Sequence, residues 1–346
     1  MNFCSDNATG IAPEILDAIA AANEGGVRGY GDDSLTEAVS GKIADLFETD
    51  ARVFFVATGT AANALALSVM TPAYGGVICH REAHIEVDEC GAPELYTGGA
   101  KLVLLDGADG KIDIDALHRS LAGLSPDVHH VQPRAVSISQ LTETGAAYSR
   151  DEIAAITDSA HRSGLLVHMD GARFANALVA TGCTPAEMSW KAGIDVLSFG
   201  ASKNGAMAAE AVVIFNPDIG ADFAYRRKRG GHLFSKMRFL AAQFAAYLDD
   251  DLWLRNARHA NAAARRLHDG LKDIDGVSFL HPVNGNMMFV AMPEPMIAGL
   301  RADGFDFYDW PHAGPKSGAI RLVTAFNTRT QDVDALVASA RHLAGT

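Results

Sequence analysis

The length and composition are those of a globular α/β protein: 346 residues, 48% of them hydrophobic and 21% charged, suffice for one large domain or two unequal ones. A formal net charge of -13 disfavours binding to nucleic acids or anionic membranes, and no apolar run reaches the ~18 residues of a membrane span. Four scattered cysteines without a zinc-type pair, and an N-terminus without signal-peptide features, are typical of a reduced, cytoplasmic protein without a metal site.

Strand-like and helical segments alternate over most of the chain, which predicts a mostly parallel sheet with helices on both faces. Ser149 begins a capping box, and Gly164 ends the helix that follows about four turns later. The other helices predicted here are Thr60–Met70, Asp113–Leu121 and Pro185–Ala192, and the predicted strands are Val53–Val56, Lys101–Leu105, Ala135–Ile138, Leu165–Met169, Asp195–Phe199 and Ala211–Phe215.

The pattern changes after about residue 230, which predicts a second, smaller unit. Two long helices, Phe234–Leu248 and Leu252–Leu271, have little strand signal between them. They are followed by predicted strands at Val277–Leu280, Met287–Met292 and Ile320–Thr324 and by a closing helix at Thr330–Leu343. We therefore predict a large domain over residues 1–245 and a small C-terminal α+β domain over residues 246–346.

Two residues at the ends of neighbouring predicted strands carry the strongest chemical signal. Asp170 ends one apolar strand, and Lys203 lies just beyond the next one, framed by small residues. A lysine amine can form a Schiff base with an aldehyde, and a carboxylate can keep a pyridinium nitrogen charged. The pair predicts a site for a pyridine-type cofactor; the alternative is a buried aspartate and a surface lysine without a chemical role.

The segment that follows the first predicted strand, residues 57–63, is a candidate phosphate site. Gly59 and its small neighbours would let backbone amides approach an anion at a helix N-terminus, and Thr60 adds a hydroxyl. The segment lacks the lysine of a P-loop, which disfavours an NTPase. A plain strand-to-helix turn is the alternative interpretation.

Four residues are candidates for moving protons. His84 lies in an unusually charged segment, and Asp88 would share its face if that segment is helical. Glu143 follows a predicted strand, at the end where ligands bind in open α/β sheets, whereas His129 precedes the same strand. The alternative for these residues is an ordinary solvated surface.

Several basic side chains are candidates for binding anions. The cluster Arg226-Arg227-Lys228-Arg229 would bind phosphate or carboxylate, or would pair with neighbouring surface acids. Arg321 lies within an apolar strand, where a buried arginine needs a partner. A substrate carboxylate held by both ends of the guanidinium group, or a structural ion pair, would supply that partner.

Taken together, these motifs resemble those of the L-threonine aldolases, in the same order and over nearly the whole chain. The most specific is His168-Met169-Asp170-Gly171-Ala172-Arg173, joined by Ser5-Asp6-Asn7, the loop Gly29–Asp33 and Ser202-Lys203. The resemblance implies a fold-type-I enzyme that depends on pyridoxal 5'-phosphate (PLP), with an aspartate aminotransferase-like large domain. That domain would contain a mostly parallel seven-stranded sheet and precede the small C-terminal α+β domain.

The resemblance also implies roles for individual residues. Asp170 would pair with the pyridinium nitrogen of PLP, Lys203 would form the Schiff base, and His84 would stack on the ring. The remaining cofactor contacts would come from Gly59, Thr60, Arg173, and Lys228 or Arg229, the last two partly across a subunit interface. The contacts to the substrate and its carboxylate would come from Ser5, Tyr30, Arg173 and Arg321.

The activity that the resemblance implies is cleavage of L-threonine, L-allo-threonine and related L-β-hydroxy-α-amino acids such as phenylserine to glycine and an aldehyde, and the reverse addition. Many family members carry a histidine where this chain has Glu143, so the base for the β-hydroxyl proton stays open. We rank His84 and His129 ahead of Glu143 and Asp88 for this role.

Other functions would use the same residues. Another fold-type-I PLP reaction, β-elimination or transamination, also needs Lys203 and Asp170, and a catalytically silent relative would bind PLP without turnover. The resemblance further implies small amino-acid and aldehyde substrates, and a homotetramer built as a dimer of dimers.

Overall fold

A seven-stranded sheet forms the centre of the structure, a computed structural model that describes residues 1–310 and 317–345. Its strands are β1 (Arg52–Val56), β2 (Gly75–His80), β3 (Lys101–Leu105), β4 (Gln132–Ser139), β5 (Leu166–Gly171), β6 (Val196–Gly200) and β7 (Glu210–Ile214). They are arranged in the order β1-β7-β6-β5-β4-β2-β3. The pairings are parallel except those of β7, which runs antiparallel to both β1 and β6. The predicted mostly parallel sheet is confirmed.

Helices cover both faces of this sheet and bury it. Strands β2, β6 and β7 are buried along their whole length, which explains why their sequences are nearly continuous apolar runs. Successive residues of β7, Val212 and Val213, belong to different hydrophobic cores. The helices of this part are α1 (Pro13–Ala21), α2 (Ser34–Leu46), α3 (Gly59–Met70), α4 (His84–Val87), α5 (Ala92–Thr97), α6 (Ile114–Ala122), α7 (Arg150–Arg162), α8 (Phe174–Thr181), α9 (Pro185–Met188), α10 (Phe223–Arg229) and α11 (Arg238–Tyr247).

A second, antiparallel sheet belongs to the C-terminal part of the chain. Its strands are β8 (Ser278–Phe279), β9 (Met287–Pro293), β10 (Tyr308–Trp310) and β11 (Ser317–Val323), in the order β10-β11-β9-β8. Helices α12 (Leu252–Leu271), α13 (Glu294–Ala302) and α14 (Thr330–Ala344) accompany it. Phe3 packs in the core of this part, and Phe3 O accepts a hydrogen bond from Val323 N at 2.8 Å. The N-terminal segment therefore lies beside β11, which carries Arg321.

The sequence prediction did not include strands β2 and β10 or several helices, among them α1, α2 and α13, and several predicted elements differ at their boundaries. The capping box at Ser149 forms as expected at the start of α7. The basic cluster 226–229 lies at the end of helix α10, where basic side chains are favoured. Helix α12 contributes Trp253 to the core of the first part and Leu271 to that of the second, so the predicted domain boundary at residues 245 and 246 stays a prediction. Among the described helices, none is long and apolar enough to cross a membrane.

Candidate active site

The candidate site lies at the edge of the large sheet where its parallel strands end. Asp170 on β5 is paired in register with Ser139 on β4 and Ser198 on β6. Because β7 runs back antiparallel, its first residue, Glu210, pairs with Gly200 at the end of β6. The turn between β6 and β7, which contains Lys203, therefore lies at the same edge as Asp170, as the sequence predicted.

Asp170 is held as a buried carboxylate. Asp170 is 6% exposed to solvent. Its Oδ2 accepts a hydrogen bond from Asn63 Nδ2 at 2.8 Å, and its Oδ1 accepts one from Ala172 N at 3.0 Å. Burial alone would raise the pKa of Asp170, but the nearby charges of His84 and Lys203 outweigh it and lower this pKa below its ordinary value. Asp170 is therefore ionised at neutral pH, the state in which it can stabilise a pyridinium nitrogen.

Lys203 lies on a rigid turn with its amine available. The 3-10 turn Ser202–Asn204 links β6 to β7, and Lys203 is half-buried. The next residue, Asn204, is buried and donates from Nδ2 to Tyr247 Oη at 2.9 Å and to Trp253 O at 2.8 Å, which anchors the turn. Among the residues that the structure describes, none forms a hydrogen bond or ion pair with Lys203 Nζ.

His84 begins α4, and its side chain contacts that of Glu89. The distance from His84 Nδ1 to Glu89 Oε1 is 2.9 Å, and Glu89 is 4% exposed, whereas Asp88 is exposed. Burial alone would lower the pKa of His84, but the hydrogen bond to Glu89 and the charges of Asp170 and Glu143 raise this pKa above its ordinary value. The segment is helical as far as Val87, and Asp88 N donates to His84 O at 2.9 Å, but the side chain of His84 pairs with Glu89 and not with that of Asp88.

Glu143 lies beside this cluster, on the loop that follows β4. The hydroxyls of Thr142 and Thr144 donate to Asp109 O at 2.8 and 2.7 Å and hold the loop in place. Burial, reinforced by the negative charge of Asp170, raises the pKa of Glu143. A carboxyl group with a raised pKa binds a proton more readily than an exposed one does.

His129 is not brought to the site. It is exposed in the turn before β4, and its backbone nitrogen donates to Asp127 Oδ1 at 2.9 Å. Strand β4 separates it from Glu143, and an eight-residue strand spans roughly 25 Å. Within one chain, His129 therefore lies at the opposite edge of the sheet from Asp170.

Two arginines lie close to each other beside the N-terminal segment. Arg173 forms a buried two-point ion pair with Asp6, with Nε–Oδ2 and Nη2–Oδ1 distances of 2.8 and 3.0 Å. Arg321 donates from Nη2 to Cys4 O at 3.0 Å, and its guanidinium carbon lies 5.1 Å from the centre of the Tyr308 ring. Burial and the positive charge of Arg173 lower the pKa of Arg321. The electrostatic field of this pair favours an anion.

Arg321 has a buried donor without a partner, which such an anion could use. Its Nε is buried and has no hydrogen-bond partner among the described residues, which is costly unless a ligand supplies one. Ser5, next to Asp6 in the same segment, accepts a hydrogen bond on Oγ from Asn7 N at 3.1 Å and keeps its own hydroxyl proton for another acceptor.

The predicted phosphate site is the N-terminus of α3. Thr58 caps this helix by accepting a hydrogen bond on Oγ1 from Ala61 N at 3.2 Å. A Cβ added at Gly59 would meet no heavy atom within 4 Å, so the backbone there is open to a ligand. Together with Thr60, the first amides of this helix can bind an anionic group.

Tyr30, Lys228 and Arg229 form a separate surface. All three are exposed, and Lys228 Nζ lies 4.8 Å from the centre of the Tyr30 ring. Arg229 lines a surface cavity of about 650 Å³ together with Tyr96. In residues 1–310 and 317–345, no hydrogen bond, ion pair or ring contact joins these three side chains to Asp170.

Comparison with known proteins identifies the family. The profile of the β-eliminating lyase family matches residues 2–293. The chain is 46% identical over 343 residues to the low specificity L-threonine aldolase of Pseudomonas aeruginosa, covering 99% of this chain and 98% of that protein. The chain belongs to the L-threonine aldolase family. A second relative of the same name, from a Pseudomonas species, is 45% identical and covers 98% of this chain and 96% of its own length.

Structural similarity agrees with this family. The solved structure of Leishmania major threonine aldolase matches with a TM-score of 0.94 at 31% identity and covers 99% of both chains. The expected family, the fold-type-I architecture and the assignment as a lyase are confirmed. The family and the fold imply PLP as the cofactor.

The residues at the sheet edge fit this cofactor. PLP has an aldehyde that an amine can bind and a pyridine nitrogen that a buried ionised carboxylate can keep protonated. An imidazole can stack on its aromatic ring, and an open helix N-terminus can bind its phosphate. Lys203, Asp170, His84 and Gly59 supply these groups. The buried Nε of Arg321, which has no partner among the described residues, can donate a hydrogen bond to the carboxylate of an amino acid.

Four polar residues of the site were assigned no individual role by sequence reasoning. Asn63 and Glu89 contact Asp170 and His84, and Asp6 pairs with Arg173. Glu210 is 5% exposed, and burial raises its pKa to about 7 although Ser202 and Lys203 act in the opposite direction. The available signal was a polar residue inside an apolar element, as at Asn63 within α3 and at Glu210 before an apolar strand.

Proposed function

We propose that this protein is a PLP-dependent lyase that cleaves L-threonine, L-allo-threonine and related L-β-hydroxy-α-amino acids such as phenylserine to glycine and an aldehyde, and catalyses the reverse addition. Two full-length relatives at 45% and 46% identity are named low specificity L-threonine aldolase. The observation that carries the proposal is the buried carboxylate of Asp170 at the same sheet edge as the amine of Lys203.

We assign to the cofactor-binding residues the roles that the family resemblance implies. When bound, PLP supplies an electron sink for the electron pair released as the Cα–Cβ bond breaks. In this proposal, Lys203 Nζ would hold the cofactor by its aldehyde, and Asp170, fixed by Asn63 and Ala172 N, would keep the pyridine nitrogen protonated. The phosphate is held by Gly59, Thr60 and, from a neighbouring chain, Lys228 or Arg229.

The substrate carboxylate is bound by the two arginines. Arg321 offers its free buried Nε, and Ser5 offers its hydroxyl proton. Arg173 adds positive charge while Asp6 holds its guanidinium in place, and Tyr30 contacts the substrate from the early loop of a neighbouring chain. Holding the carboxylate fixes the rotation about the Cα bonds, so that the bond to be broken is the one aligned with the electron sink.

A base must remove the β-hydroxyl proton, and we assign this role to His84. It is half-buried at the site and adjoins both Asp170 and Glu143. Glu143 ranks second, because its raised pKa suits proton transfer. Asp88 is exposed and His129 lies at the far edge of β4, so each of them ranks below these two.

Product analysis tests the proposed reaction. Incubation of the PLP-loaded protein with L-threonine should yield glycine and acetaldehyde in equal amounts. Ammonia and a keto acid would identify β-elimination, amino-group transfer to a keto acid would identify an aminotransferase, and no turnover would identify a silent PLP-binding relative. Each of these three results contradicts the proposal.

The assembly and location are also proposals. We propose a cytoplasmic homotetramer of 36.6 kDa chains, built as a dimer of dimers, that acts on small amino acids and aldehydes. Tyr30 and Lys228 are exposed and do not contact Asp170 of their own chain. In the tetramer they would face the active site of a neighbouring chain. Light scattering of the purified protein measures the number of chains, and a monomer would contradict the proposal.

A further inference from the structure

Glu89 is the closest partner of His84, yet it is buried where a carboxylate is costly. Its Oε1 lies 2.9 Å from His84 Nδ1 and accepts a hydrogen bond from Asn63 Nδ2 at 2.8 Å. Its second oxygen, Oε2, is buried and has no hydrogen-bond partner among the described residues. Such an oxygen destabilises a fold, so packing alone does not explain a glutamate at this position.

Asn63 connects this pair to the cofactor carboxylate. The same Nδ2 atom donates to Glu89 Oε1 and to Asp170 Oδ2, at 2.8 Å each, and an amide nitrogen has two hydrogens for two such bonds. One nitrogen of His84 and one oxygen each of Glu89 and Asp170 all lie within 4.8 Å of one another. The four side chains therefore form one continuous polar network.

We propose that Glu89 is a positioning residue for the aldolase reaction, which holds a proton on His84 Nδ1 and leaves Nε2 free to accept the β-hydroxyl proton of the substrate. Asn63 keeps Glu89 in place and links it to Asp170. This role rests on the proposed function. It adds to that function the residue that sets the tautomer and charge of the catalytic base. A carboxylate on Nδ1 is a standard way to orient a histidine that works through Nε2.

The proton that His84 removes from the β-hydroxyl returns to the substrate at Cα. His84 Nε2 takes the hydroxyl proton while the oxygen forms a second bond to Cβ and the Cα–Cβ bond breaks, and the bound cofactor would take up the electron pair of that bond. The aldehyde leaves, and the imidazolium is stabilised by the negative charge of Glu89. Return of that proton to Cα gives glycine, so the overall reaction needs no other reactant.

Titration of His84 in the cofactor-free protein tests the inference independently of turnover. The charged groups that face His84 are Glu89, Asp170, Glu143 and Lys203, and within residues 1–310 and 317–345 Glu89 alone bonds to its ring. The variant Glu89→Gln keeps an oxygen acceptor for Nδ1–H but removes the charge. The control is Glu86→Gln, which removes a charge from an exposed residue of the same helical turn.

Nitrogen-15 NMR of labelled histidines gives the readout, with His84→Gln identifying the signal. In the wild type we expect the neutral ring to carry its proton on Nδ1. In Glu89→Gln the midpoint of the His84 titration should move to lower pH by about 1–3 pH units, and Glu86→Gln should leave it in place. An unchanged midpoint in Glu89→Gln overturns the inference. A wild-type ring protonated on Nε2 also overturns it, even if no variant folds.

Kinetics of the PLP-loaded enzyme separate this inference from the proposed function. Glu89→Gln should lower kcat for L-threonine by roughly 10–10²-fold, less than the loss of a general base, and move the acid limb of the pH profile with the titration. The KM for L-threonine should stay within about threefold, because the hydrogen bonds of Glu89 go to Asn63 and His84 and not to the arginines that would bind the carboxylate. A wild type that forms no glycine overturns the proposed function, whereas an unmoved acid limb overturns the role of Glu89.

Discussion

Replacing Glu210 with glutamine should remove most of the fall in stability that this carboxyl group causes as the pH rises. Glu210 is 5% exposed at the start of β7, Ser202 N donates to its Oε1 at 3.4 Å, and Lys203 lies near enough to affect its charge. Burial raises its pKa from 4.5 to about 7 in the folded protein. The folded state therefore binds this proton more tightly than the unfolded chain does.

The sign and size of the effect follow from that pKa difference. A raised carboxyl pKa favours the folded state fully below pH 4.5, and the contribution is lost as the pH rises through about 7. The whole difference corresponds to about 3 kcal/mol at about 1.4 kcal/mol per pH unit, of which about 2 kcal/mol falls between about pH 5.5 and pH 8. A neutral glutamine does not titrate, so the variant loses this pH dependence.

Urea unfolding of the cofactor-free protein at a series of pH values measures the effect. The free energy of unfolding of the wild type minus that of Glu210→Gln should fall by about 2 kcal/mol across this range, since the other titrating groups are shared and cancel. The matched control is Glu37→Gln, at an exposed position of α2, which should give a constant difference. A constant difference for Glu210→Gln would show that Glu210 is ionised throughout and refute the reasoning.

Three further predictions concern the site. Asp170→Asn removes the negative charge that would face the pyridine nitrogen. It should raise the activation barrier measured by kcat/KM by a few kcal/mol and weaken the binding of PLP measured by equilibrium dialysis. Wild-type turnover would contradict this role of Asp170. Arg321→Gln should raise the KM for L-threonine by about 10–100-fold with a smaller change in kcat, and an unchanged KM would place the substrate carboxylate elsewhere. His84→Asn should lower kcat by about 10²–10⁴-fold, and a larger loss for His129→Asn would reverse the ranking of the bases.

The meeting of Asp170 and Lys203 was predictable because it follows from strand direction alone. Parallel strands end at one edge of a sheet, and both residues follow apolar runs whose boundaries are clear in the sequence. The open turn at Gly59 follows from the same rule, since α3 begins where β1 ends.

The partner of His84 was not predictable from spacing. Helical periodicity selects Asp88, four residues on, but α4 ends at Val87. Asp88 then leaves the helical conformation with φ and ψ of -128° and 11°, and Cys90 has a positive φ of 51°. This change of direction turns Glu89 inward and leaves Asp88 exposed.

Contacts between residues far apart in the chain could not be predicted from the sequence pattern either. Asp6 and Arg173 are 167 residues apart, and their ion pair depends on the N-terminal segment lying across the end of β5. Glu210 looked like the last residue of a loop because the predicted strand began at Ala211, and only the pairing with Gly200 shows that it is buried. Tertiary packing, which local propensity does not contain, sets both environments.

Borohydride reduction of the PLP-loaded protein, followed by peptide mass spectrometry, tests the central claim most directly. The claim is that the edge formed by Asp170 and Lys203 binds PLP through the lysine amine. Reduction should abolish the visible absorbance and leave the cofactor mass on the peptide that contains Lys203. Label on a different lysine, or PLP that dialyses away after reduction, would contradict the claim.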